Sequence, residues 1–239
     1  MKKKIIYLFA MVFIYSCTPQ DAPNTFTDSR DDKVYKTVTI GSQVWMAENL
    51  AYLPAVSAPA SGSSTEPHCY VYGYAGTDVA AAKATTNYTT YGVLYNWPAA
   101  MIACPDGWHL PSDDEWEILE TYLTNNGHKY DGSIGGDYRA KIAKSMASTT
   151  GWNDSDKEGV PGSTEYPEYI NKSGFSALPG GDRSKNGGFY GIGRYGYWWS
   201  SEEFEISNAW GRRLGYADSD VKMTGDSKGQ GWSVRCVRD

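Results

Sequence analysis

Three early helix signals, a later half built of short strands separated by glycine turns, and a length suited to one domain together predict an α+β fold. The clearest helix signal lies at Ser112. Ser112 and Glu115 form a Ser-x-x-Glu capping box, which satisfies two orphan backbone donors. Asp113 and Asp114 place negative charge on the positive end of the helix dipole. Trp116, Leu119 and Leu123 form one apolar stripe, and Gly127 supplies a stop. Just upstream, Pro105-Asp106-Gly107 is a turn in which proline presets φ and glycine permits a positive one, and Pro111 ends the very short strand between.

The N-terminus reads as a sorting signal. Lys2-Lys3-Lys4 is followed by an apolar run, Ile5 to Ile14, that is shorter than the ~20 residues needed to span a bilayer. Ile14-Tyr15-Ser16-Cys17 resembles a bacterial lipobox, with tyrosine where a smaller residue is usual. The expectation is a signal peptide over 1–16 and a lipid on Cys17, so that the protein contacts the outer membrane through its anchor only, on the surface or the periplasmic face. Residues 17–33 are polar and proline-containing and are expected to be a flexible tether, leaving a single domain over 34–239.

Within that domain, Tyr35 to Ile40 and Gln43 to Met46 flank Gly41-Ser42, a hairpin signal. Residues 54–67 and 75–90 are rich in small residues and predict two exposed loops, with a strand at Tyr70-Val71-Tyr72 between them. Asn96 caps a short helix with Pro98 in its first turn, ending near Cys104. After the Ser112 helix, Asp137 predicts a third helix from Tyr138 to about Met146, and residues 151–173 predict loop. Strands are then expected at Phe175–Leu178, Phe189–Ile192, Tyr197–Ser201, Ala209–Tyr216, Ser219–Met223 and Gly231–Val237.

Of 22 basic residues three precede Cys17, and none of the 28 acidic ones does, so the chain from Cys17 onward holds 19 against 28, a formal −9. An acidic body argues against nucleic acid as a partner, because neutralising phosphates needs a basic surface. With Cys17 assigned to lipid, Cys69, Cys104 and Cys236 allow one disulfide and one free thiol in an oxidising compartment, and composition leaves the pairing open. The three histidines and the cysteines do not form a zinc spacing, so no metal and no cofactor is expected. Trp152-Asn153-Asp154 spells a lectin calcium motif, but no second ligand pair precedes it, and calcium takes about six to eight oxygens; a turn is the better reading.

The chain has 9 Trp, 19 Tyr and 6 Phe. Trp45, Trp108, Trp116, Trp199 and Trp232 are expected in the core. Tyr190, Tyr195 and Tyr197, with Arg183 and Arg194, stand among glycines and are expected to share one loop-rich, exposed face suited to binding.

Several blocks carry a family resemblance: Thr39 to Leu50, Tyr91 to Trp97, Cys104 to Trp116, Gly151-Trp152-Asn153, Gly174 to Gly181, Gly196 to Ser201, and Ser233 to Asp239. In this order they resemble the Fibrobacter succinogenes major paralogous domain, over essentially 34–239. The resemblance implies a secreted or lipid-anchored bacterial surface protein, often of Bacteroidetes type, and no settled activity. More distantly, the helix ending in Cys104, the Leu110 to Trp116 segment and Cys236 resemble the C-type-lectin-like and formylglycine-generating-enzyme folds. That likeness implies short helices on twisted, mostly antiparallel strands, chain ends close together, and a Cys104–Cys236 disulfide with Cys69 free.

Two functions follow as expectations. The first is a non-catalytic, monomeric binding or adhesion module for a glycan or surface protein. The second is an enzyme, an oxidase of the formylglycine-generating type or a hydrolase using carboxylates, disfavoured because the reactive cysteine pair, a metal constellation and a Ser-His-Asp arrangement are missing; a Cys69 nucleophile would also lack its base, since His68 next to it points to the opposite face of a strand.

Overall fold

In the computed structural model, residues 24–239 are described, so the signal peptide and Cys17 lie outside the described residues. Gly41, with φ 62°, makes the expected turn between β2 (Lys33–Ile40) and β3 (Gln43–Met46), and β1 (Thr25–Asp28) pairs on the outer side of β2. Short elements follow: β4 (Cys69–Tyr70), α1 (Val79–Lys83), α2 (Thr86–Tyr91), β5 (Leu94–Tyr95), α3 (Trp97–Ala100) and β6 (Trp108–His109). Next come α4 (Asp113–Asn125) and α5 (Ala143–Met146), and then a series of strands, β7 (Gly180–Arg183), β8 (Phe189–Ile192), β9 (Tyr195–Glu205), β10 (Asn208–Gly215), β11 (Lys222–Ser227) and β12 (Val237–Arg238).

The strands form two five-stranded sheets, ordered β1-β2-β3-β12-β6 and β11-β10-β9-β7-β8, and a small β4-β5 pair. All pairings are antiparallel except β7 with β9. The fold is thus mixed α+β with few, short helices, and the last strand lies between elements from the start of the domain.

Helix α4 forms as its punctuation predicts. Glu115 N donates to Ser112 Oγ at 3.2 Å and Ser112 N to Glu115 Oε2 at 2.9 Å, and Gly127 at φ 75° follows the helix end. Its stripe of Trp116, Leu119 and Leu123 is fully buried, with the Trp116 ring 4.8 Å from Trp45 and 5.8 Å from Phe175. The five tryptophans expected inside are all buried.

Several expectations need correction. Residues 24–33 are part of the folded body, not of a tether: Phe26 packs on Trp108 at 5.0 Å, and Asp28 is buried. Burial alone would raise the Asp28 carboxyl, but its hydrogen bonds from Arg30 hold it below the usual range. Arg30 also donates to Ala103 O at 2.8 Å, tying this turn to the chain beyond α3. The sequence signal was an alternating Thr-Phe-Thr-Asp strand hidden in a polar stretch.

Residues 75–90 are not plain loop: Asp78 and Thr85 cap α1 and α2 by accepting from Ala81 N and Tyr88 N. The helix expected from Tyr138 is reduced to α5, because Lys141 adopts φ 63° and interrupts it. Phe175–Leu178 is not a strand, and Gly231–Cys236 makes isolated bridges to Arg183, Tyr95 and Trp198 before β12.

Cys104 and Cys236 form a disulfide, with Cα atoms 5.9 Å apart, and Cys69 is free. The crosslink closes a sequence separation of 132. The chain-entropy model gives roughly 5 kcal/mol as an upper figure for such a loop. Cys236→Ser is therefore expected to lower the melting temperature by on the order of 10 °C, and Cys69→Ser by far less, as read by thermal unfolding. Equal losses would show that the crosslink carries no special share of stability. A chain beginning at Lys33 loses the Phe26 and Asp28–Arg30 contacts and is expected to melt several degrees lower, for a loss of about 2 kcal/mol. An unchanged melting temperature would return these residues to the role of tether.

Candidate functional site

Side chains alternate across a strand, so Tyr195, Tyr197 and Trp199 share one face of β9. On neighbouring β10, Gly215, Arg213 and Gly211 stand opposite them. Gly211 is needed there: a Cβ would come within 2.7 Å of the Trp232 ring. Its absence lets Trp232 lie against the sheet, stacked 4.0 Å from Trp199 and 5.2 Å from Tyr197. Tyr195 extends the series, 6.0 Å from Tyr197. The ladder runs from two fully buried indoles to two half-buried phenols. Burial pushes the Tyr197 phenol up to about 12.

Charged groups border the open end. Arg213 lies 5.1 Å from the Tyr195 ring and donates to Asp218 Oδ2 at 3.0 Å. Arg194 is exposed in the turn between β8 and β9, 5.8 Å from the Tyr216 ring. Tyr190 is 62% exposed and stands opposite Asp182 across β7 and β8. Burial, with the nearby Asp226 carboxylate, raises Asp182 to about 6; burial, with a smaller push from Asp182, raises the Tyr72 and Tyr197 phenols.

The structure thus gathers Tyr195, Tyr197 and Arg194, with Tyr190 on the far strand of the same sheet. Arg183 is a correction. It is fully buried, and its guanidinium donates to Pro59 O and Gly229 O and lies 4.4 Å from the Tyr70 ring. The glycines around it suggested a loop, but β7 is a strand, and alternation turns Asp182 and Arg183 to opposite faces. Asp182 and Arg213 were missed; the alternation of their strands was the available signal.

Beside this sheet lies a cavity of about 350 Å³, which Lys144, Trp152, Asp154 and Ser163 help to line. Two residues of the Trp152-Asn153-Asp154 run therefore share one cavity, while Asn153 N donates to Gly193 O at 2.8 Å, in the turn that carries Arg194. Gly162 closes the loop, donating to Tyr216 O at 2.9 Å at a place where a Cβ would meet Asn153 O at 2.1 Å. Among the described residues, no three histidine, cysteine or acidic side chains gather as they would around a metal ion.

Cys69 borders a separate apolar crevice of about 250 Å³ with Tyr52, Tyr95 and Ile102, and burial pushes its thiol up to about 12. The neighbouring His68 is engaged elsewhere, its Nδ1 2.8 Å from Ser57 Oγ.

No curated protein and no solved structure matches the chain. The model of the Fibrobacter succinogenes major domain matches residues 38–238, from within β2 to β12. That match spans nearly all of the folded body, the strands from β3 to β12 and the aromatic face included, and the chain belongs to the Fibrobacter succinogenes major domain family.

Proposed function

We propose that this protein is a non-catalytic binding or adhesion module for a glycan or protein ligand, held to the outer membrane by a lipid on Cys17 and acting as a monomer. The observation that carries the reading is the aromatic ladder, which leads from the core to Tyr197 and Tyr195 at the surface and is bordered by Arg194, Arg213 and Asp182. Sugars and planar peptide groups stack on such rings, while charged neighbours orient their polar groups. Because the rings are fixed by the core beneath them, little side-chain entropy is lost on binding.

A C-type-lectin-like plan is part of the proposal. The disulfide from the region after α3 to the residue before β12, and the placing of β12 beside β3, support it. The oxidase alternative is less well supported. A thiol pushed up to about 12 is protonated at neutral pH and a weak nucleophile, and the other two cysteines are joined to each other.

On a glycan and protein array, Tyr190→Ala with Arg194→Ala is expected to weaken binding roughly tenfold, the loss of a hot-spot contact or two, without lowering the melting temperature. Binding that survives alanine at Tyr190, Arg194, Tyr195 and Tyr197 together would place the site elsewhere. For the anchor, metabolic labelling with a fatty-acid analogue is expected to mark the wild type and not Cys17→Ala. Equal labelling of the two would remove the lipid from the proposal.

A further inference from the structure

Lys144, at the second position of α5, is 1% exposed. Its ammonium donates to Val160 O at 3.2 Å and Ser163 O at 2.6 Å. Among the described residues no carboxylate lies within ion-pairing distance of it. An ammonium has three N–H donors, so one is left without a protein acceptor. The desolvation of the charge lowers the pKa of this amine, while the more distant Glu168 and Glu165 act in the opposite direction.

The Trp152 indole N–H is likewise buried with no acceptor. Buried donors normally find partners, because an unmade hydrogen bond leaves the desolvation of the donor uncompensated. Both residues line the same 350 Å³ cavity, within the size range of small-ligand sites. The lining holds one cationic side chain, Lys144, and one carboxylate, Asp154, and the two do not pair with each other.

The remaining lining narrows the class of ligand. Hydroxyls of Ser148, Thr149, Thr150, Ser163 and Thr164 surround the cavity, and Asp154 adds an exposed carboxylate. Ser163 Oγ already accepts from Glu165 N, which leaves its own proton free to donate. A ligand suited to this wall presents one carboxylate to Lys144 and neutral hydroxyls to the rest, where they exchange hydrogen bonds with serine, threonine and Asp154. A polyanion would meet Asp154 unfavourably. Trp152, Pro161, Pro167 and Ile170 supply apolar surface for the carbon face of a ring.

We propose that this cavity binds an acidic sugar, a uronic acid residue of a glycan, with its carboxylate paired to the Lys144 ammonium and its ring against Trp152. The proposal rests on the reading of the protein as a glycan-binding module but not on the aromatic face, to which the cavity is joined through Asn153 and Gly193.

The test is calorimetric titration of the full chain with galacturonate and glucuronate oligomers and with the same oligomers methyl-esterified. The free acids are expected to bind on the order of tenfold or more tightly than the esters, the value of one charge-assisted hydrogen bond. Lys144→Met, which keeps the volume but not the charge, is expected to remove that preference, and Trp152→Phe to weaken both ligands. An acid preference that is lost in Tyr190→Ala with Arg194→Ala but kept in Lys144→Met would place the acidic sugar on the aromatic face and overturn the cavity, so failure of the aromatic face and failure of the cavity are read separately. Equal affinity for acid and ester, or an unchanged preference in Lys144→Met, would overturn the proposal. Absence of binding by either acid would do the same, as would an acidic peptide competing as well as the sugars. The acid-against-ester comparison on the wild-type chain decides the matter even if Lys144→Met does not fold.

Discussion

The structure depends most on the buried guanidinium of Arg235. It has no exposed surface and, among the described residues, no carboxylate within ion-pairing distance, so directed acceptors, with the Phe175 ring 4.5 Å away and the more distant Glu48, offset the cost of taking its charge out of water. The acceptors come from two distant parts of the chain: the Asn49 side chain at 3.0 Å and Met46 O at 3.1 Å, at and just after the end of β3, and the carbonyls of Phe175 and Ser176. Burial pushes this group down to about 9, which still leaves it charged at neutral pH. Asn49 passes the constraint on, accepting from Trp198 Nε1 at 2.9 Å and donating to Ser233 Oγ and Tyr91 O. Around one cation the hairpin of β2 and β3, the segment before β7, strand β9 and the C-terminal segment are fixed relative to each other.

That constraint explains the irregular strands. A carbonyl turned toward Arg235 is not available to a neighbouring strand, so Phe175–Leu178 does not join a sheet despite its apolar residues. The C-terminal run from Gly231 to Cys236 instead passes through the body of the domain. Trp232 exchanges backbone hydrogen bonds with Tyr95, Ser233 N donates to Tyr197 O, and Leu50 N donates to Val234 O. The disulfide at Cys236 closes this segment just before β12, which lies between β3 and β6 in the first sheet.

The proposed binding surfaces grow out of the same packing. Trp232 is carried by the threaded segment and sits under Tyr197, so the surface phenols rest on rings that the core already holds rigid. The loop from Gly151 to Ser163 lies against the β8–β9 turn through Asn153 and against Tyr216 through Gly162, and the same loop supplies the carbonyls that hold Lys144. The sheet face and the cavity therefore share supports while drawing their polar groups from different elements.

The sequence by itself determined what local chemistry decides. The capping box at Ser112, the glycine turn at Gly41, the Asn96 cap and the stripe of α4 act within a few residues, and the α+β class and the family's ordered blocks were readable from them. The start of helix α5 and the whole of strand β1 were not, because a left-handed Lys141 interrupts the first and a polar turn disguises the second. Only the tertiary structure decided that Arg183 is buried against Pro59, Gly229 and Tyr70, that Trp152 and Asp154 share a cavity with Lys144, and that Trp232 stacks beneath Tyr197. Each of those arrangements joins separate elements of the chain. They are set by burial, by a missing Cβ at Gly211 and by the acceptor needs of buried cations, and no local propensity records them.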